Sequence, residues 1–240
     1  MIHFKFIAKT LSVLFLFFFA ACSISFSPPP RVSYGSMPEA NGAKNVSLQG
    51  SLAVAAGDFF VPEIKASYGL SDRWDLETSA MAVWSTNNGD NENGFVSFYG
   101  TGGVRYHFLN SEKWRIAASG GIGLGCGGYL DPSIFDEDAP EFAQGCDDFG
   151  FSYGFYTELA FGYRFSSHFG IYQANRYEFS NADGLPLTHW GSHALGLEYD
   201  WTKNFFTSLE GGIIYYTNSD DNDQVSALAS LTMGYRWGKK

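Results

Sequence analysis

From Lys44 onward, apolar and polar residues alternate with a period of two rather than 3.6. In Trp74-Asp75-Leu76-Glu77-Thr78-Ser79-Ala80 the even positions are apolar and the odd ones largely polar. In Phe205–Ile213 the apolar row falls on odd positions, and Phe151–Tyr163 keeps the alternation for thirteen residues. The pattern predicts ten strands, at about 44–57, 59–70, 73–85, 94–108, 113–126, 149–165, 169–180, 189–200, 204–217 and 224–237. These exceed the five or so residues of ordinary globular strands and match the roughly 10-residue tilted strands that cross a bilayer. The connections alternate in length: Ser71-Asp72, Leu109–Glu112, Ser166–His168 and Trp201–Lys203 are short, whereas Thr86–Asn93, Gly127–Asp148, Asn181–Thr188 and Asn218–Asp223 are longer and polar. Only the hairpin at Gly57-Asp58 is tight on the long-loop side. Short turns on one side and long loops on the other predict an all-β, antiparallel up-and-down transmembrane β-barrel of ten strands over residues 44–238. An even strand count puts both termini on the short-turn side.

The short turns repeat a chemical theme. Tyr68–Trp74, Tyr106–Asn110, Tyr163–Phe169 and Tyr199–Phe205 each alternate aromatics with other residues into a polar turn, and the chain closes similarly with Tyr235-Arg236-Trp237. Aromatics at strand ends form the girdle that sits at headgroup level. Composition agrees: among 240 residues, 28 are Gly, 43 are aromatic, and only 17% are charged. Disordered chains are poor in aromatics and rich in charge, so that class is excluded. A helical membrane protein is excluded too, because the long apolar run Phe6–Ala21 is broken by Lys9 and Thr10 and a span needs about 20 apolar residues. A soluble β-sandwich with aromatic corners would not require large apolar residues in a row on nearly every strand.

Residues 1–21 read as an export signal: Lys5 and Lys9 form a basic start, Leu11–Ala21 an apolar core, and Ala20-Ala21 the small residues before a cleavage point. Phe19-Ala20-Ala21-Cys22 resembles a bacterial lipobox, with Phe19 where Leu is usual. That resemblance implies lipidation of Cys22 and a lipid-anchored flexible tether over 22–43, rich in Ser and Pro at Ser23–Pro30. Removal of 1–21 leaves 13 basic and 25 acidic residues, a formal charge of −12, which argues against nucleic acid as a partner. With Cys22 lipidated, Cys126 and Cys146 remain. In an oxidising compartment a disulfide between them is the default, closing the acidic loop 127–148 at its neck. Two Cys with no His between them make a poor zinc set, so no metal and no cofactor are expected.

The signal, the Cys, the tether and the turn theme together resemble small bacterial outer-membrane β-barrels. The stretch Val61–Ile64 through Tyr68–Leu76 is similar to a recurrent piece of uncharacterised lipoprotein-type barrels. The resemblance implies a barrel in the bacterial outer membrane, long loops outside and termini periplasmic. Its surroundings would be outer-membrane lipid and lipopolysaccharide, with the chain a monomer. It implies no activity.

Alternation also assigns an inward set: Glu63, Lys65, Arg73, Asp75, Glu77, Arg105, His107, Arg115, Glu158, Arg164, Glu198, Asp200, Glu210 and Arg236. The near balance of signs favours pairing, since an uncompensated buried charge is costly, and a barrel of this size is narrow. A lumen mostly plugged by paired charges is expected, with a narrow pore as the other possibility. The seventh strand is an exception, with Gln173 and Asn175 on one face and Arg176 and Glu178 on the other, so neither face is apolar. Acids also crowd the loops: Asp131, Asp136, Glu137, Asp138, Glu141, Asp147 and Asp148 in or beside the longest, Asp220, Asp221 and Asp223 in another, and Asp90 and Glu92 in a third. Solvation explains them, and calcium or a basic partner is the alternative. None matches the spaced acids of an EF-hand, and the surface partner is unknown.

One segment bears on catalysis. Arg176–Ala182 resembles the His-x-Ser-Asn-Ala piece of outer-membrane lipid A 3-O-deacylases, with Ser180, Asn181 and Ala182 matching and Glu178 in the place of the base. That resemblance implies a Ser180 nucleophile, which needs an adjacent base; His189 and His193 on the next strand are the other candidates. No Gly-x-Ser-x-Gly elbow and no phosphate loop occurs. The expected function is a non-enzymatic outer-membrane barrel with a structural or surface-interaction role. An outer-leaflet lipid-modifying hydrolase and a narrow channel are the alternatives.

Overall fold

The computed structural model describes residues 34–55, 59–85, 94–130, 150–182, 188–218 and 224–238. Ten strands follow one another: β1 (Val46–Ala55), β2 (Phe59–Gly69), β3 (Trp74–Ser85), β4 (Gly94–Asn110), β5 (Trp114–Leu130), β6 (Gly150–Arg164), β7 (Phe169–Ala182), β8 (Thr188–Asp200), β9 (Phe205–Asn218) and β10 (Gln224–Trp237). Each pairs antiparallel with its neighbours in sequence, and β1 pairs with β10, so the sheet is a closed barrel. The seam runs from Val46 opposite Trp237 to Ala55 opposite Leu228. Closure removes every sheet edge, the condition a β-structure must meet to sit in lipid.

The alternation seen in the sequence becomes two surfaces of opposite character. Leu48, Leu52, Ile64, Leu76, Leu195, Ile213, Leu231 and Met233 point outward and stand 41–63% exposed. Inward lie Ser47, Gln49, Glu63, Lys65, Asp75, Glu77, Arg105, Glu158 and Arg236, all buried. Polar inside and apolar outside inverts the arrangement of a soluble protein and matches a bilayer-spanning barrel.

The short turns share one construction. Ser71, Ser111, Ser166 and Thr202 each open a turn three residues before an aromatic. Each hydroxyl accepts from the backbone N–H of that aromatic, at 3.1 Å from Trp74, 3.0 Å from Trp114, 3.1 Å from Phe169 and 2.9 Å from Phe205. The turn fixes the register and delivers an aromatic to the rim. There Trp74 meets Tyr106, Trp114 meets Tyr163 and Tyr235 meets Trp237, each with ring centroids 4.7 Å apart, while Tyr199 meets Trp201 at 4.9 Å. The short-turn rim is thus marked by an aromatic belt.

Residues 34–45 lie inside the barrel rather than beside it. Lys44 N–H donates to the Gly69 carbonyl and Gly69 N–H to that of Asn45, fastening the segment at the short-turn rim. From there it runs into the lumen, where Tyr34, Met37 and Ala40 are buried. Residues 34–43, the last ten of the expected tether over 22–43, thus lie in the lumen. The reason is that the charged lumen offers carboxylates to this segment's backbone N–H groups. Residues 22–33, including Cys22, are outside the described residues, as are the signal segment and the loop acids.

Candidate functional site

The lumen is built in three layers. At the short-turn end, Arg164 and Arg236 share Glu198 Oε1, each at 2.9 Å, and Arg236 also reaches Asp200 at 2.9 Å. Glu39, carried in by the N-terminal segment, approaches Arg164 at 3.3 Å, Arg115 at 3.7 Å and Arg236 at 4.0 Å. One entering carboxylate thus faces three guanidinium groups from β5, β6 and β10. Beside them, Asp75 Oδ2 contacts His107 Nε2 at 3.0 Å and accepts from the Asn41 side chain at 3.2 Å.

The middle layer is a chain of alternating charges. Lys65 lies 3.4 Å from Glu77, Glu77 3.0 Å from Arg105, and Arg105 2.9 Å from Glu158. Arg176 continues it, 3.7 Å from Glu158 and 2.9 Å from Glu178, with its guanidinium 3.8 Å over the Tyr156 ring. Glu178 also accepts from the Tyr99 hydroxyl. On the other side of the lumen Glu210 accepts four hydrogen bonds, from Tyr172 Oη and Ser230 Oγ at 2.6 Å and from the backbone N–H of Gly35 at 2.8 Å and Tyr34 at 3.2 Å. Glu198 takes the Met37 N–H at 2.9 Å. The N-terminal segment is therefore held in part by its main chain, with the N–H groups of Tyr34, Gly35 and Met37 on buried carboxylates. Burial pushes the Tyr34 phenol well above its ordinary value, so it stays a donor, and its oxygen sits 2.7 Å from Ser192 Oγ.

Two local features hold the segment. Gly35 has φ +83°, a left-handed conformation that suits glycine, and a Cβ there would come 2.4 Å from Gln49 Oε1. Met37 fills a space floored by two glycines: a Cβ on Gly170 would lie 2.0 Å from Met37 Cε, and one on Gly162 2.7 Å from Met37 Cγ.

Above these layers, toward the long loops, the lumen turns apolar. Ala53, Val61, Met81, Val83, Tyr99, Trp190, Ile214 and Leu228 pack together, all buried. Charge blocks the lower lumen and hydrocarbon the upper.

The inward assignment from alternation needs one subtraction and three additions. Arg73 is exposed, and its guanidinium reaches Tyr106 Oη at 3.3 Å on the rim; it belongs to the turn before Trp74, where alternation no longer applies. Arg176 and Glu178 point inward and are buried. Their strand has polar residues on both faces, which concealed the direction. Glu39 precedes the first strand, where no periodicity exists to read. The remaining expected residues, Glu63, Lys65, Asp75, Glu77, Arg105, His107, Arg115, Glu158, Arg164, Glu198, Asp200, Glu210 and Arg236, are all buried among the lumen-facing side chains.

The catalytic candidates are not brought together. Ser180 is inward and accepts from Trp190 Nε1 at 3.2 Å. His189 and His193 lie on the opposite, outer face, where His189 contacts Tyr177 Oη at 3.3 Å and His193 contacts Asn175 Oδ1 at 2.7 Å. Register fixes this, since Ser180 pairs with Thr188 and Phe179 with His189. A base one position away along the strand points through the wall. Glu178 shares the inner face, but its oxygens are engaged by Arg176 and Tyr99. None of the three candidate bases is thus placed to serve Ser180.

β5 continues to Leu130 along β4, where Cys126 stands opposite Phe98. Its ladder with β6 ends at Gly127 opposite Gly150, one residue past Cys126, which faces Phe151 there. Cys146 lies outside the described residues. Among the described residues, no group of three or more His, Cys, Asp or Glu side chains is placed to hold a metal ion.

No protein-family model matches the chain, and no curated protein matches it. Solved structures resemble it in shape. The Neisserial surface protein A is 12% identical with a TM-score of 0.40, over 80% of this chain and 94% of that one. An outer membrane channel from Pseudomonas putida F1 is 10% identical with a TM-score of 0.43, over 87% and 100%. The outer membrane protease of Escherichia coli is 11% identical with a TM-score of 0.37, over 80% and 93%. The inverted polarity and closed ladder give this chain the fold of a small outer-membrane-type barrel.

Proposed function

We propose that the chain works as a sealed, non-catalytic outer-membrane barrel, with a structural or surface-interaction role carried by its long loops. The observation that supports this reading is a lumen filled through its height. The N-terminal segment and the paired charges occupy the lower part, and the Trp190 cluster the upper. A pore needs a continuous file of water, and the paired side chains of the lower lumen stand across that path. β1 begins and β10 ends at the short-turn rim, which in this reading is periplasmic. Purified protein in planar bilayers is expected to show no steady conductance of porin size, and liposomes carrying it should not swell with small sugars. A large, stable open state would overturn the seal.

A further inference from the structure

Among the described residues, the outward-facing side-chain amides and imidazoles lie on β7 and β8, in a wall otherwise of apolar residues, glycine and threonine. Gln173 lies there between Phe161 and Leu195 in the register, and Asn175 between Leu159 and His193. Gln173 and His193 are exposed on this face. Gln173 is four residues above Phe169, where the strand begins, and Asn175 six. At about 3.3 Å per residue and a tilt near 40°, that places both roughly 10–15 Å above the aromatic rim, within an apolar band about 25 Å tall.

The three side chains bond to one another without using up their capacity. Asn175 Oδ1 accepts from His193 Nδ1 at 2.7 Å and from Gln173 Nε2 at 3.2 Å, and Asn175 Nδ2 donates to the Leu159 carbonyl at 3.3 Å. Because Nδ1 of the neutral ring donates, Nε2 is left as an acceptor. Among the described residues neither His193 Nε2 nor Gln173 Oε1 has a hydrogen-bond partner. Hydrocarbon cannot supply one, and unpaired polar groups there are costly.

We infer that this wall is a self-association face, in place of the monomer expected from the sequence, and that its occupant is the same wall of a second copy related by a two-fold axis close to Gln173. A primary amide is both donor and acceptor, so two Gln173 side chains facing each other pair reciprocally through two N–H···O bonds. Each Gln173 amide then spends one N–H on Asn175 Oδ1 of its own chain and the other on the facing Gln173 Oε1. No Asp, Glu, Lys or Arg points outward on β6 to β8, so two copies meet without like-charge repulsion. Leu159, Phe161 and Leu195 flank the amide with apolar contact. A two-fold contact is isologous and closes, which suits a membrane dimer.

The inference rests on the exterior facing lipid, and the experiment separates the two. Gln173→Cys and, as a control on the opposite wall, Ile64→Cys are placed in the full chain, and both are first recovered from the membrane fraction in heat-resistant form. Mild oxidation in the membrane is expected to give a product of twice the monomer mass for Gln173→Cys, and for Ile64→Cys only what the unsubstituted chain's own cysteines give. Gln173→Leu combined with His193→Leu should shift the protein from dimer to monomer mass in nanodiscs while keeping its heat resistance. An inserted protein that is monomeric before substitution, or that cross-links from position 173 to a different protein, overturns the self-association. A chain found outside the membrane fraction overturns the barrel reading itself.

Discussion

Glu198 is fully buried and holds three partners: two arginines from other strands and the Met37 amide. Removing one member of a buried ion cluster costs more than the cluster contributes, because the remaining charges stay buried and face each other. Glu198→Ala should therefore lower stability by about 3 kcal/mol, the lower end of the range for a broken buried pair, since Asp200 and Glu39 still neutralise the arginines. Urea unfolding from detergent micelles checks this, and an unchanged midpoint would mean the cluster is solvated. Cys22 belongs at the same scale. If it carries lipid, a fatty-acid probe should label the wild-type chain and not Cys22→Ser, while the substituted barrel still inserts, because its wall supplies the membrane affinity. Equal labelling of both would remove the anchor.

At the scale of the element, strands were legible where one face was uniformly apolar. Trp74–Ala80 is the clear case, and its Asp75, Glu77 and Ser79 are all buried. The seventh strand was legible as a strand but not in its facing, because Gln173 and Asn175 compete with Arg176 and Glu178. The position of Ser180 relative to His189 was illegible for a different reason. It depends on the register of β7 against β8, which a loop of unread geometry sets. A signal was available for the turns: Ser71, Ser111, Ser166 and Thr202 each precede an aromatic by three residues. The lumen segment 34–45 had no such signal. Its binding uses backbone N–H groups and one glutamate, neither of which leaves a periodic trace. The segment still makes a definite expectation: the amides of Tyr34, Gly35 and Met37 donate to buried carboxylates and should exchange slowly with deuterium. Met37→Asp would bring a carboxylate against Gly162, Gly170 and Glu198, expelling the segment while the ladder stays closed. The three amides should then exchange fast with strand protection kept, and slow exchange in that variant would show that the segment is held by something other than its fit.

At the scale of the whole molecule, the closed ladder and the inverted surface make one physical claim: the outer wall is solvated by hydrocarbon. Depth along a single strand tests it. Leu48 and Leu52 share β1 and the outward face, and they are 43% and 41% exposed, so burial within the protein does not distinguish them. Leu48 is two residues from the rim at Val46, whereas Leu52 is six. At about 3.3 Å per residue along a strand tilted near 40°, Leu52 stands roughly 10 Å deeper in the membrane than Leu48. An arginine at the midplane of such a barrel costs about 2–4 kcal/mol, falling to about 0–1 kcal/mol near the interface, where its stem lets the charge reach water. Leu52→Arg should thus be clearly destabilising in lipid vesicles and Leu48→Arg nearly neutral. In a water-solvated barrel both changes would fall within the small range of surface substitutions, and no dependence on depth would arise. Denaturant unfolding of the two variants from the same vesicles decides between these solvents: equal and small effects would show that the apolar wall faces something other than a bilayer.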